Sequence, residues 1–334
     1  MLEDRIVLAH GSGGRLSHLL TSEIFQAAFD NDWLNQLGDA AILPAASGRL
    51  ALTTDSFVVS PLFFRGGDIG KLAVCGTVND LAVSGAEPKY LSTGFIIEEG
   101  FPLADLRLIV DSMAETACGA GVCLVTGDTK VVERGAVDKL YINTTGVGFL
   151  PPDIEVSPAR VKPGDKIIVS GTVGEHGVAI LSEREGLSFG SPVQSDCAAL
   201  NGFIHSFISR EIKCMRDPTR GGLATTLNEL ALQAGVTILL EEEKIPVEPP
   251  VSGACNLLGL DPLYLANEGK VIVIVSPEEE GRVLEIMGSH PLGMKAKTIG
   301  SVINAEQGLV LLETVLGSQR ILPMLEGEQL PRIC

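Results

Sequence analysis

No cluster of Lys or Arg occurs anywhere in the sequence, where 25 basic residues face 42 acidic ones and the formal net charge is −17. A protein that neutralises the phosphates of DNA or RNA needs a basic face, so nucleic acid is not expected as a partner. A phosphate-bearing small ligand would need a divalent cation between itself and so acidic a chain. No apolar run approaches the roughly 20 residues of a membrane-spanning helix. The opening stretch MLEDRIVLAHG lacks the basic start and long apolar run of a signal peptide. Together these point to the cytoplasm, with no membrane. The seven cysteines include no CxxC pair, which argues against a disulfide framework and a structural zinc site. Six of them sit among small or apolar neighbours and read as buried small hydrophobes. Neither a Walker A loop nor a G-x-G-x-x-G fingerprint is present. Any nucleotide site must be built some other way. The 38 glycines show no period of three, so they serve turns and close backbone approaches.

What is present is material for two packed cores. The chain has 334 residues, 45% of them hydrophobic and 20% charged, and length alone favours two domains. Helical spacing is expected over 15–29, 69–84 and 103–120, with strands over 49–59, 90–97, 122–126 and 140–149. Pro151, Pro152, Pro158 and Pro163 then crowd one short stretch and mark a boundary. After it the pattern restarts, with strands at 165–170, 236–240 and 270–275 and helices at 178–185, 220–234 and 278–288. The alternation lacks the regular period of a doubly wound sheet, so the fold class is α+β. We expect one domain over 1–150, a second over 151–320, and a mobile tail over 321–334, where Pro323, Gly327 and Pro331 disfavour regular structure.

Four aspartates share a setting of apolar and small neighbours: Asp39, Asp55, Asp80 and Asp128. Carboxylates so placed are costly to bury unpaired, and the set makes sense if it converges on a hard cation such as Mg2+ that bridges to phosphates. Lys71 and Lys130 could then reach phosphate oxygens. The segment His10-Gly11-Ser12-Gly13-Gly14 precedes the first helix and suits an anion. Arg216-Asp217-Pro218-Thr219-Arg220-Gly221-Gly222 is either a capped helix start or a second anion contact. Glu268 is a candidate general base, although acids in turns are commoner. Cys334, the last residue, is a thiol on a flexible end and suits an arm carrying a covalent group on sulfur.

These motifs, with Thr53-Thr-Asp-Ser56, Val78-Asn-Asp-Leu-Ala-Val-Ser-Gly-Ala-Glu-Pro88, Thr126-Gly-Asp-Thr-Lys130, Asn267-Glu-Gly269 and Pro331-Arg-Ile-Cys334, resemble those of the HypE family. That family comprises the hydrogenase-maturation carbamoyl dehydratases of the PurM-like, AIR-synthetase-related ATP-binding superfamily. The resemblance spans essentially the whole chain. It implies two PurM-like domains, a homodimer formed through the first of them, and ATP in the cleft with Mg2+ on Asp39, Asp55, Asp80 and Asp128. Gly11, Ser12, Gly13, Gly14, Lys71, Asn79, Thr129 and Lys130 would contact the nucleotide. Cys334 would receive a carbamoyl group from a HypF-type carbamoyltransferase. The S-carboxamide would be dehydrated to a thiocyanate with ATP, Glu268 being the first candidate base and His10 the second. The cyano group would pass to iron on a HypC–HypD complex for [NiFe] hydrogenase. Two alternatives stand beside this. One is another small-molecule enzyme of the superfamily, selenophosphate-synthetase-like or kinase-like; the other is a non-catalytic carrier switched by ATP.

Overall fold

The computed structural model describes residues 4–12, 14–38, 40–44, 48–187, 192–303, 308–327, 330 and 332–334. Arg15–Leu20 (α1) and Ala27–Phe29 (α2) are joined without a break by a π-helical turn over Thr21–Gln26. This is the single amphipathic helix that the spacing predicts. Then follow β1 (Arg49–Phe57), β2 (Phe63–Phe64), β3 (Gly67–Asp68), α3 (Ile69–Val83), β4 (Glu87–Glu98), α4 (Leu103–Ala120), β5 (Cys123–Val132) and β6 (Leu140–Leu150). The second half contains β7 (Lys166–Val169), α5 (Glu175–Glu185), α6 (Asn201–Phe207), β8 (Ile212–Arg216), α7 (Gly222–Ala234) and β9 (Thr237–Glu241). It ends with α8 (Pro249–Leu258), β10 (Ile272–Val275), α9 (Glu280–Gly288), β11 (Lys297–Ile303), β12 (Val310–Glu313) and β13 (Gln319–Ile321).

Each half builds its own sheet. The first has strand order β1-β6-β4-β5, and the second β13-β12-β9-β11-β7-β10-β8. Only β4–β5 and β9–β12 are parallel. The β4–β5 connection is the helix α4, because parallel neighbours need a long crossover. Segregated helices on mostly antiparallel sheets make this an α+β fold.

The helix α3 positions the site. Asp68 caps it, accepting from the N–H groups of Gly70 and Lys71, which satisfies donors that a helix start leaves orphaned. Every residue of α3 except Lys71 and Asp80 is buried. One side of the helix packs on β1 and β6 and another on α4. Its last turn, Ala82 and Val83, joins the core formed by Phe203, Phe207 and Val273 of the second half. A helix apolar on all sides is a buried one, and here it is buried because both halves close on it.

Small residues make that closure possible. A Cβ on Gly70 would lie 2.3 Å from Ile109 O and 2.8 Å from Met113 Cγ of α4. In an ordinary helix, Gly→Ala gains up to about 1 kcal/mol. Here Gly70→Ala should instead lose about 1–3 kcal/mol through overpacking, read as a lower thermal midpoint with unchanged helix content.

Candidate functional site

The site lies where the first half meets the second. Asp80, on the exposed flank of α3, accepts a hydrogen bond from Thr53 Oγ1 at 2.8 Å. Its carboxyl is held above the usual carboxylate range by burial, opposed by that hydrogen bond and reinforced by Asp55. Arg220, from the turn before α7, reaches Asp55 Oδ1 at 3.4 Å. Asp217, in the same turn, is half-buried. Burial, with Asp80 and Asp55 adding to it, pushes its carboxyl up to about 7. The Arg216–Gly222 motif is therefore part of the cleft, and Asp217 is a site residue that the sequence reading did not single out.

Glu268 is buried at 3% exposure. Its peptide is clamped from both sides. Asp196 accepts from the Glu268 and Gly269 N–H groups at 3.1 and 3.2 Å, and Asn79 Nδ2 donates to the Glu268 carbonyl at 3.3 Å. Gly269 can only be glycine, because a Cβ there would lie 1.9 Å from Asp196 O. Burial works against the Asp196 charge, but Lys270 at 3.0 Å, His176 and the backbone donors together hold its carboxyl below the usual range. The Glu268 side chain has no such help, since its Oε1 is buried without a hydrogen-bond partner. Burial, then Asp196, Asp217 and Asp55, push its carboxyl well above the usual range. A carboxyl in that state binds its proton more tightly than an ordinary one and, once deprotonated, is a stronger base.

The last residues of the chain occupy this cleft. The Cys334 main-chain oxygen accepts from Val58 N–H at 3.1 Å, and Arg332 O accepts from Ser60 N–H at 3.2 Å. Ile333 is buried, and Ile333 and Cys334 both pack into the first-half core, sharing a cavity wall with Ala266. Burial and the nearby Glu268 push the Cys334 thiol up to about 12. Around them is a space of 300 Å³ walled by Val58, Arg220, Tyr264, Ala266 and Leu330.

A second cavity, of 230 Å³, lies between the N-terminal turn and β4–β5. His10, Gly11, Phe25, Thr93, Phe95 and 126–130 line it. Gly11 lets the turn lie against β5, since a Cβ would meet Val131 N at 2.4 Å. His10 Nδ1 accepts from Val7 N–H at 3.0 Å. His10 Nε2 and Thr93 Oγ1 are both buried without a partner.

Several expectations are corrected here. Asp128 does not follow a strand but lies inside β5, exposed and paired with Lys130 at 3.1 Å. It does not converge with Asp55. Those residues stand on opposite edges of a four-stranded sheet, three strand spacings or about 14 Å apart. Among the described residues no group of three ligands is placed to hold a metal. Asp39 and Gly13 lie outside the described residues. Lys71 stands nine positions from Asp80, two and a half turns, and so on the opposite face of α3. Its ammonium donates to Gly66 O at 2.8 Å. Asn79 is buried and bonds only main-chain groups, Ala198 O, Glu268 O and Leu200 N–H, so it holds Glu268 rather than facing open space. His10 lines the second cavity, with Thr129 and Lys130, and not the seat of Cys334. Ser12 is exposed and donates to Ala9 O, and Gly14 caps α1. Cys118 is exposed and Cys123 partly so, because they flank the exposed turn after α4.

The described residues include no helix long and apolar enough to cross a membrane. The AIR synthase related protein N-terminal domain matches residues 37–150 and the C-terminal domain of the same family matches 162–312. Carbamoyl dehydratase HypE of Azotobacter vinelandii is 54% identical over 331 residues, 98% of this chain and 97% of its own length. The crystal structure of hydrogenase maturation protein HypE in complex with ATP superposes with a TM-score of 0.95 at 51% identity. It covers 98% of this chain and 99% of that one. A chain of a HypE–HypF complex superposes with a TM-score of 0.81 at 51% identity, covering 92% and 99%.

The raised Asp217 carboxyl makes a testable statement about stability. The folded protein keeps that proton to about pH 7, whereas the unfolded chain releases it near 3.8. Between those values the folded state binds more protons, so this group's contribution falls as pH rises and is level above about 7. Asp217→Asn lacks the effect. The thermal midpoint of the variant relative to the parent should climb from pH 4 to 7 and then stay flat.

Proposed function

The chain belongs to the AIR synthase related family and, within it, to the HypE carbamoyl dehydratases, and from that premise we propose that it dehydrates an S-carboxamide carried on its own Cys334 to a thiocyanate with ATP. The observation that carries the proposal is the seating of Cys334 in the same cleft as the high-pKa carboxyl of Glu268. An amide oxygen is a poor leaving group. Moving the γ-phosphoryl of ATP onto it turns it into a leaving phosphate; as the C–O bond breaks and the C≡N bond forms, one N–H proton leaves with the phosphate and the other goes to the base. Glu268 in its deprotonated form takes a proton from that nitrogen. Seating the tail against Val58, Ala266 and Leu330 reduces the access of water to the reacting group, which limits idle ATP hydrolysis.

The residues present fit ATP. The unpartnered His10 Nε2 and Thr93 Oγ1, beside Phe25 and Phe95, match the polar edge and flat apolar face of a purine. The loop at Gly11, Ser12, Gly13 and Gly14 and the segment holding Thr129 and Lys130 would then flank the phosphates. Asp55 and Asp80 suit Mg2+ shared with phosphate oxygens rather than caged by protein; Asp39 and Asp128 complete the proposed carboxylate set and would meet the phosphate chain through Mg2+ as well. Bound Mg2+ would supply charge neutralisation at the transferred phosphoryl.

A HypF-type carbamoyltransferase is the donor to Cys334 and a HypC–HypD complex the acceptor of the cyano group, for [NiFe] hydrogenase in the cytoplasm. The domain limits 1–150, 151–320 and 321–334, the last a tail that enters and leaves the cleft, go with this reading. The homodimer finds support in the outer face of the first sheet. Leu50 and Leu52 are 60% and 66% exposed on the edge strand β1, opposite Phe149 and Val147 of β6. An apolar patch of that kind marks an interface.

Two experiments test these proposals. Intact-protein mass spectrometry with transferase, carbamoyl phosphate and ATP should show one carbamoyl group gained and then one water lost. Cys334→Ala gains nothing, and Glu268→Gln gains the carbamoyl group but loses water at least about 100-fold more slowly. A stable carbamoyl adduct on the parent chain with Mg-ATP present would instead identify a carrier. Leu50→Asp with Leu52→Asp should convert a sedimenting dimer to monomer; unchanged sedimentation would remove this face from the interface.

A further inference from the structure

The hydrogen bonds around His176 have a direction. The ring is fully buried, with Nε2 2.8 Å from Ile333 O and Nδ1 2.7 Å from Ser195 Oγ. A carbonyl oxygen can only accept, so Nε2 carries the hydrogen and Nδ1 accepts from the serine hydroxyl. Ser195 Oγ in turn accepts from Cys197 N–H at 3.1 Å. A one-way chain thus runs from Cys197 N–H through Ser195 and His176 to the penultimate carbonyl of the tail. Burial lowers the affinity of His176 for a second proton, in keeping with this neutral form.

The segment that carries Ser195 and Cys197 also holds Glu268. Asp196, between Ser195 and Cys197, receives the N–H groups of Glu268 and Gly269. Base and thiol-bearing tail are therefore indexed to one segment, 195–197, through Asp196 on one side and through Ser195 and His176 on the other. The tail itself runs antiparallel to 58–60, with Arg332 O and Cys334 O turned to Ser60 and Val58. In an extended chain the carbonyl between them points the opposite way, and there it meets His176. Arg332 sits at φ +54, a left-handed conformation costly for a residue with a side chain, so the seat must impose it. Arg184 of α5 helps, donating to Arg332 O at 2.7 Å and to Ser60 O at 2.9 Å.

We infer that His176, oriented by Ser195, is a positioning residue that sets the register of the tail and so places the Cys334 sulfur against Glu268. This rests on the dehydratase reading, which makes Cys334 the substrate-bearing atom. The test has two arms in the full-length chain. In the first, iodoacetamide labelling of Cys334 is followed on its terminal peptide. Folded His176→Ala should label about tenfold faster than the parent. His176→Gln, whose amide can still donate to Ile333 O, should fall within about threefold of the parent. Ser195→Ala, which frees the ring to turn, should lie between. Parental labelling in either His176→Ala or Ser195→Ala overturns the inference, and the serine variant decides it if the alanine variant does not fold. In the second arm, single-turnover dehydration of carbamoylated chain at saturating ATP should slow in His176→Ala and recover in His176→Gln, with KM for ATP unchanged. Equal slowing in both variants overturns a role through the hydrogen bond. If the parent chain itself does not dehydrate, the function is wrong while the labelling arm still decides the latch.

Discussion

The structure depends on the clamp that holds the Glu268 peptide between its two halves. Asn79 reaches out of α3 to Ala198 O, Leu200 N–H and Glu268 O. Asp196 grips the N–H groups of Glu268 and Gly269. Both are buried side chains that bond main-chain groups, Asp196 with Lys270 as a further partner, and buried bonds of this kind are costly to remove. Because the backbone is satisfied, the Glu268 carboxyl can be left under-satisfied. A buried acid with a free oxygen is destabilising on its own, and it persists only where its surroundings fix it in place. That fixing is done by α3, whose burial on every side joins the two cores.

The electrostatics of the cleft follow from crowding acids there with few cations. Asp55, Asp80 and Asp217 each disfavour ionisation of another acid in a group that also holds Glu268. Arg216 and Arg220 oppose this only in part. Lys270, the buried cation, is committed to Asp196 and so serves the clamp rather than the cleft. The result is a site in which Asp80, Asp217 and Glu268 bind protons more tightly than ordinary carboxyls do. A divalent cation brought to such a cluster would neutralise carboxylates and phosphates together, in keeping with the proposed role of Mg2+.

The helices α3 and α4 were legible because long runs with caps or glycine stops leave few alternatives. Within 1–150 the strands of the main sheet were found at nearly their observed limits, except that β5 runs on to Val132 through Thr126-Gly127-Asp128, and the two-residue strands β2 and β3 went unread. Glycine and aspartate there read as a turn, but a Cβ on Gly127 would meet Thr93 O at 2.6 Å, so the glycine serves close strand packing. Past residue 190 the elements α6, β8, α8 and β11 to β13 went unread, being short or interrupted by glycine and proline. Glu268 and Cys334 could be named from the motifs around them. Asp196 and His176 could not. Each is a lone polar residue in an unremarkable stretch, and its importance arises from a partner far away in sequence, Lys270 or Ile333. The alternation of apolar residues says nothing about such pairings. Asp128 shows the converse failure, since chemical likeness grouped it with Asp55 while the sheet order places the two on opposite edges.

A tail that carries cargo must be held well enough to react and loosely enough to leave. The contacts of 332–334 are of that kind. Each hydrogen bond contributes about 1 kcal/mol net, and each residue ordered costs about 1–2 kcal/mol. The Arg332–Asp138 ion pair at 2.5 Å is partly exposed and adds little, as does the guanidinium 5.8 Å from the Tyr141 ring. Gains and costs are therefore of similar size. The left-handed Arg332 adds to the cost side. What tips the balance inward is burial of Ile333, a large apolar side chain worth about 1.5–3 kcal/mol. The isoleucine before the cysteine is thus the anchor and the cysteine the cargo position.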